Sequence, residues 1–455
     1  MAELFLPHGF SYSAEDVAKY VVEPLFLDNP DLSELFVIET GIKSSKKLDK
    51  FSALEKITKA YAQGTAFTPE GGVTYTQREL AVADMKAEIQ ENPRKFYDSI
   101  KQELIASGVD ANDLNSAPVL KELVMNLFVR ALKLDLIRQG FFSDTVKETM
   151  VATGSLYSPS GTLDKHYKEY VGFWTRIIND FTSAVIPAAQ FVDINSTTYV
   201  NVAAVAGAKS STLTGTSGTA NITINGVAYL ATFTTDLTTS AANFVTSHAA
   251  AILARHGNCV VTSSGAVITV TAGVPGMNVL VSAPVNVSGN LAGSAASVTT
   301  AVKMTTLKAD AALAMFEAMW AAAPNELAEL NAQGLLRMYV TRSVYDNYAK
   351  TLRTLNGSEQ SYVNLANGQR TLSFNGIAIL NRADWDTRIN QDFGGVRPHR
   401  ALLTTPGNLV FGTDGEEDLM KIEALYDAVG QNNIVRSEYK AGTQYTWTKL
   451  IVAAY

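Results

Sequence analysis

Between Val205 and Val302 the chain carries only three charged residues, Lys209, Asp236 and Arg255, while the sequence on both sides is charged in the ordinary way. A Thr/Ser/Ala/Val/Gly-rich block with such sharp edges predicts a self-contained module spliced into a larger fold. The surrounding sequence must close around both ends of the insertion, and it carries the function.

The block has a legible plan. Ile222 and Ile224 alternate up to Asn225-Gly226, and Val227, Tyr229 and Phe233 alternate down the other side. Asn-Gly between alternating apolar runs is the strongest short hairpin signal, because both residues accept positive φ. A helix follows with Ala241, Phe244, His248 and Ile252 on one face, and then strand runs at 259–261, 267–270 and 279–281. The expected module is a small α+β domain of order ββαβββ, occupying residues 205–303.

Outside the block the chain has distinct parts. The first thirty-odd residues mix Pro, aromatics and charge without a period, as an extended arm does that orders only on a partner surface. Residues 36–92 have strand-like pieces near each end, Phe36-Val37-Ile38 and Leu80 to Ile89, around a polar stretch with Lys43, Lys46, Lys47, Lys50 and a turn at Pro69-Glu70-Gly71-Gly72. This reads as a long two-stranded excursion, which is marginal unless it lies on something else. The strongest helix signal covers 117–139. Val119, Leu120, Leu123, Leu127, Ala131, Leu134 and Ile137 recur at helical spacing between the start signals Ser116 and Pro118 and the stop Gly140. Such a helix is roughly 34 Å long. A second amphipathic segment runs from Tyr167 to Phe181. Beyond the insertion come a helix at 307–322, a strand at 335–340, a capped helix from Ser343, strands at 374–380, 401–404 and 409–411, and two or three closing strands.

Several function classes are disfavoured. The net charge is −7, with 37 Lys+Arg against 44 Asp+Glu, so the chain lacks the basic surplus for gripping nucleic acid phosphates. One cysteine, Cys259, precludes an intrachain disulfide and suits a reducing compartment. No apolar run is long enough to span a bilayer. Gly207-Ala-Lys-Ser210 lacks the upstream glycine of a phosphate loop, and the five histidines have no i, i+4 pair. His248 reads as a half-buried helix residue, Cys259 as a small buried hydrophobe, and the acidic run Asp414 to Asp418 as a solvated turn. Asp384 and Asp386, flanking Trp385, are two oxygen donors without a third. No nucleophile, base and orienter assemble, so neither an enzyme nor a cofactor or metal is expected.

The order of these parts resembles the major capsid protein of tailed bacteriophages, the Hong Kong 97 fold. The residues that carry the resemblance are the strand–helix unit Leu336-Arg-Met-Tyr-Val-Thr-Arg-Ser-Val-Tyr-Asp-Asn-Tyr348, the strand Gly376-Ile-Ala-Ile-Leu380, the segment Leu402-Leu-Thr-Thr-Pro-Gly-Asn-Leu-Val-Phe-Gly-Thr-Asp414, and the closing strands. The insertion resembles modules found in phage structural proteins.

The resemblance implies an α+β fold in four parts. These are an N-terminal arm (1–35), an extended loop lying over a neighbouring subunit (36–92), a peripheral domain on the long spine helix (93–190 with 416–445), and an axial domain (191–204, 304–415 and 446–455). The insertion would project from the outer surface. It further implies a homo-oligomer of hexamers and pentamers in an icosahedral virion shell. That shell encloses double-stranded DNA without sequence-specific binding, is made in the host cytoplasm, has no membrane partner, and works with portal, scaffolding and decoration proteins. Candidate contacts between subunits are Lys43, Lys46, Lys47 and Lys50 against Glu416, Glu417 and Asp418. The competing readings are another virion protein, such as a tail-tube subunit or adhesin, and an encapsulin-type compartment shell.

Overall fold

The computed structural model describes residues 35–51, 75–91, 118–356, 362–364, 370–414, 421–427 and 432–455. The N-terminal arm, the Pro69 turn, Ser116, and Glu416, Glu417 and Asp418 lie outside the described residues.

In chain order the first half of the fold is β1 (Val37–Glu39), β2 (Ser45–Phe51), β3 (Tyr75–Ala81), β4 (Ala83–Glu91), helix α1 (Pro118–Phe142), β5 (Glu148–Thr153), β6 (Leu156–Leu163), α2 (Phe173–Thr182) and β7 (Phe191–Val192). The insertion contributes β8 (Ala208–Thr214), β9 (Gly218–Ile224), β10 (Val227–Thr232), α3 (Leu237–Arg255), β11 (Val260–Ser264), β12 (Val267–Thr271), β13 (Val285–Gly289) and β14 (Ala292–Thr299). Then come α4 (Ala311–Ala321), α5 (Asn325–Ala332), β15 (Arg337–Val340), α6 (Arg342–Asn356), β16 (Tyr362–Asn364), β17 (Arg370–Phe374), β18 (Ile377–Asn381) and α7 (Ala383–Asp392). The chain closes with β19 (Ala401–Thr404), β20 (Leu409–Gly412), β21 (Lys421–Asp427), β22 (Asn432–Tyr445) and β23 (Val452–Ala454).

Two compact units divide the chain, one of residues 1–142, 169–176 and 406–447 and the other of 143–168, 177–405 and 448–455. The division puts 143–168 and 177–190 with the second unit and 406–415 with the first. It therefore falls elsewhere than the sequence-based boundaries between peripheral and axial parts.

In the first unit the 14-residue strand β22 is the shared spine of the sheet: it pairs antiparallel with β4, β20 and β21, and β1 joins β20 in parallel. The core is aromatic. Phe36 stacks on Phe411 at 5.3 Å, and Phe173 lies 6.0 Å from Phe36 and 5.4 Å from Phe141. Burying each such ring stabilises the unit by about 1.5–3 kcal/mol.

Helix α1 buries Phe128, Leu132, Leu136, Ile137 and Phe141, while Ala131 and Leu134 are exposed. The expected stripe is therefore displaced by one position over the described part. Apolar residues recur at i, i+4 on two adjacent faces here, and the tertiary partner decides between them. Nor is Gly140 a stop. It lies inside the helix, where a β-carbon would be 3.9 Å from the Phe411 ring. The Tyr167–Phe181 segment is helical only from Phe173.

In the second unit the seven-stranded sheet runs β16-β17-β18-β15-β19-β23-β7. Its core is continuous with α4 and α6, where Phe316 meets Tyr348 at 5.0 Å and Phe374 at 5.7 Å. The run 374–380 is two strands, not one. Asn375 (φ 49°) and Gly376 (φ 80°) form a two-residue turn that reverses β17 into β18.

The insertion is closed where its composition changes. Val205 and Val302 exchange both backbone hydrogen bonds, at 2.9 and 3.0 Å. Inside, the Asn225-Gly226 hairpin and the helix stand as expected, but the order is βββαββββ rather than ββαβββ. β8, β13 and β14 were missed, and residues 279–281 make only an isolated bridge from Val281 to Ile224. The strands form two sheets, β10-β9-β13 and β11-β12-β8-β14, around a core of their own that includes Ile222, Ile224, Tyr229, Phe244, Ile252, Ile268 and Val270. Two of the three charges have structural jobs. Asp236 caps α3 by accepting from the Thr239 N–H at 2.8 Å, which holds its carboxyl below the usual range, and Arg255 reaches out of the module.

That reach is part of a latch onto the β5–β6 hairpin. Glu148 is buried; its Oε1 lies 3.1 Å from His256 Nδ1 and 3.7 Å from Arg255 Nε, and its Oε2 accepts from the Gly161 N–H at 2.9 Å. His256 Nε2 shares a hydrogen bond with the Tyr229 hydroxyl at 2.8 Å, and Arg255 donates to the Gly161 carbonyl at 2.8 Å. Backbones also touch: a β-carbon on Gly226 would sit 2.3 Å from the Ser160 carbonyl oxygen. Glu148→Ala removes the only carboxylate of the latch and leaves the buried His256 Nδ1 and the Gly161 N–H without their acceptor. It is expected to cost about 3 kcal/mol, near the lower end for a broken buried pair because the Arg255 side chain is 44% exposed and keeps water as a partner. Chemical unfolding would measure it; an unchanged midpoint would contradict the latch.

Candidate functional site

The candidate site is the antiparallel ribbon β2–β3, which pairs Ser45 with Ala81 at one end and Phe51 with Tyr75 at the other. β1 and β4 are not part of it, since both are strands of the first unit's sheet. The excursion expected over 36–92 is therefore confined, among the described residues, to 45–51 and 75–81.

Alternation splits the ribbon into two faces. Leu48, Lys50, Arg78 and Leu80 are half-buried or buried, and they hold the ribbon down. The Arg78 guanidinium stacks over Tyr445 at 4.1 Å, Lys50 Nζ lies over the Trp447 ring at 4.4 Å, and Gln444 donates to the Glu79 carbonyl at 2.8 Å. Leu80, Ile42 and Val410 form a small apolar knot at the root. Glycines clear the way there: a β-carbon on Gly442 would lie 2.1 Å from the Ala81 carbonyl oxygen, and one on Gly412 would lie 2.9 Å from Leu80.

The opposite face is exposed in cross-strand pairs, Lys47 with Glu79, Asp49 with Gln77, and Phe51 with Tyr75. The Tyr75 hydroxyl donates to Asp49 at 2.5 Å and Gln77 donates to the same carboxylate at 2.9 Å. The Tyr75 bond, more than the Gln77 bond, holds the Asp49 carboxyl below its usual range, and it raises the Tyr75 phenol in return. Phe51 and Tyr75 pack ring to ring at 5.2 Å, yet they remain 60% and 47% exposed. The described ribbon thus ends in two adjacent aromatic rings that are largely exposed.

The four candidate lysines do not form one basic patch. Lys46 pairs with Glu39 at 2.5 Å within its own unit, and Lys50 is engaged by Trp447. Lys43, Lys46 and Lys47 are all exposed, and Lys43 offers its carbonyl to Lys440. The aromatic pair was missed by sequence reasoning. Its signal was the alternation Lys47, Asp49, Phe51 on one side of Leu48.

The other candidates are engaged in structure. Asp386 accepts from the Arg342 N–H at 2.7 Å at the start of α6, and Asp384 pairs with Arg382 at 3.0 Å. His248 bonds the Leu230 carbonyl at 3.0 Å and packs edge-on against Phe244 and Tyr229. Burial pushes the Cys259 thiol up to about 11. His399 joins α6 to the chain beside the insertion: Nε2 donates to the Thr305 carbonyl at 2.9 Å, so Nδ1 accepts from the Ser343 hydroxyl at 2.7 Å. Among the described residues there is no group of three or more metal-ligating side chains, and no helix is long and apolar enough to cross a membrane.

No family model matches the sequence, and no curated protein matches it. Among solved structures it is similar to a chain of the satellite phage P4 procapsid that includes the size determination protein, at 9% identity and TM-score 0.45, over 100% of this chain and 93% of that one. It is also similar to the capsid of the cyanophage P-SCSP1u, at 12% identity and TM-score 0.36, over 93% and 86%. A third is the holo-SrpI encapsulin complex of Synechococcus elongatus PCC 7942, at 7% identity and TM-score 0.35, over 96% and 88%. Likeness this remote leaves function to be argued from the chain's own residues.

Two measurements probe this geometry. Gly442→Ala drives a methyl group into the Ala81 backbone and is expected to cost roughly 1–3 kcal/mol, seen as a lower unfolding midpoint. A midpoint equal to the parent's would mean that the ribbon root has room to give. Burial lowers the His399 pKa below its ordinary value of about 6.5, so the folded state holds the neutral ring. The unfolded chain then binds more protons, and His399 contributes stability above about pH 6.5 that is lost as pH falls through that value toward the folded pKa. His399→Gln is expected to flatten the decline of stability between about pH 7 and 5; an unchanged slope would place the titration elsewhere.

Proposed function

We propose that the chain is a structural subunit that self-assembles into the icosahedral capsid shell of a tailed bacteriophage, enclosing the double-stranded DNA genome. The observation that carries this is the β2–β3 ribbon. It is anchored firmly at its root and presents a wholly exposed face that ends in Phe51 and Tyr75. A two-stranded ribbon is barely stable alone, and closed symmetric assemblies of identical chains supply the surface it needs. The order of parts that resembles the Hong Kong 97 family supports the same reading, with hexamers and pentamers as the assembling units and the insertion on the outer surface. A net charge of −7 suits a container whose wall does not hold its DNA tightly.

In this reading the ribbon lies across a neighbouring subunit. Phe51 and Tyr75 enter an apolar contact there, and Lys43 and Lys47 face that subunit's acidic residues, with Glu416, Glu417 and Asp418 as the candidates. Portal, scaffolding and decoration proteins complete the particle.

Phe51→Ser with Tyr75→Ser removes two exposed rings and their cross-strand pairing, so the subunit should fold with its stability lowered by no more than about 1 kcal/mol. Losing about 1.5–3 kcal/mol per ring at every contact should abolish particle formation in sedimentation. Lys43→Glu with Lys47→Glu should reduce it. Particles formed by the double-serine variant at the parental yield would sink the ribbon's role.

A further inference from the structure

The outer face of the β22–β4 pair is charged and carries the same row layout as the outer face of the ribbon. β22 and β4 set Ile434 opposite Gln90, Arg436 opposite Glu88 and Glu438 opposite Lys86. Alternation turns these six side chains away from the buried Val435, Ser437 and Tyr439, and Gln90, Glu88, Lys86 and Glu438 are exposed. A groove of about 470 Å³ opens on this side, lined in part by Lys86, Glu423, Arg436 and Glu438.

The ribbon's outer rows are Phe51 with Tyr75, Asp49 with Gln77, and Lys47 with Glu79. Both surfaces are antiparallel two-strand ladders whose outward pairs recur every two residues, about 6.8 Å, so laid face to face they keep step over three rows. In one direction every row is complementary. Phe51 meets Ile434 and Tyr75 meets Gln90; Asp49 meets Arg436 and Gln77 meets Glu88; Lys47 meets Glu438 and Glu79 meets Lys86. In the opposite direction Phe51 falls on Glu438, Tyr75 on Lys86 and Lys47 on Ile434. Arg436 already donates through Nε to Glu423 at 2.7 Å, and a guanidinium has further donors for Asp49.

We propose that the β22–β4 face is the receptor for the β2–β3 ribbon of a neighbouring copy of this chain, docked in that direction and register. Tyr445 and Trp447 of its own chain hold the ribbon's other face, so the outer face is the one it can offer. The inference rests on the shell reading for the second copy and names the surface which that copy presents. Ribbon and receptor are different patches of one chain, so the contact runs head to tail, and such contacts close into rings. Exposed ion pairs contribute little singly. The match over six positions is what fixes direction and register. Lys47 is then answered by Glu438, which leaves the acidic run at 416–418 to Lys43.

Photo-crosslinking of the full chain tests it. Chains with p-benzoylphenylalanine in place of Phe51 are mixed, as a minority so that particles form, with isotope-labelled parental chains, and particles are isolated by sedimentation before illumination. Most inter-chain links from position 51 are expected to fall on β22 around Ile434. The same probe in place of the exposed Gln90 should link mostly to β3 around Tyr75, and it decides the matter if the first probe is left out of particles. Inter-chain links that fall elsewhere overturn the docking while leaving the shell reading standing. If the parental chain forms no particles, the shell reading fails and the docking, which needs the neighbouring copy, fails with it.

Discussion

A two-stranded ribbon has no interior, and that constraint organises the first unit. β2 and β3 can bury only one face, and the sheet spends specific residues on doing so: Tyr445 and Trp447 receive Arg78 and Lys50, Gln444 takes the Glu79 carbonyl, and Gly442 and Gly412 open the space. The other face is left to water, with two aromatic rings at its end. The proposed function rests on that asymmetry between the two faces.

The insertion follows a different logic. It has its own core, and its ends meet in the Val205–Val302 bridge. Yet it is not loosely tethered. A buried carboxylate, a histidine and an arginine join it to the β5–β6 hairpin, and Asn225-Gly226 packs backbone to backbone against Ser160-Gly161.

Much of this was legible in the sequence, for identifiable reasons. The loss of charge at Val205 and its return after Val302 marked the two residues that pair. The Asn225-Gly226 hairpin was readable because alternation flanked the turn on both sides. Asn375-Gly376 carried the same turn signal but was passed over, because apolar residues stand on both sides of it, Leu372 and Phe374 before and Ile377 to Leu380 after. β8 and β14 were silent because strands made mostly of Ala, Ser, Thr and Gly show no period-2 contrast, and β13 was too short, with only Val285 and Val287 alternating. The lysine cluster was visible, but Lys50 depends on Trp447, almost the whole chain away, and no local pattern reports that. Phe51 alternates with Lys47 and Asp49, which placed it on a polar face, but its pairing with Tyr75 is set by the partner strand and no local pattern reports that.

The most direct measurement is a three-dimensional electron microscopy reconstruction of whatever the chain forms when expressed alone. Closed particles in which the β2–β3 ribbon of one subunit covers its neighbour, with Phe51 and Tyr75 buried in that contact, are the predicted result. A monodisperse monomer, or open tubes in which the ribbon stays exposed, would contradict the account.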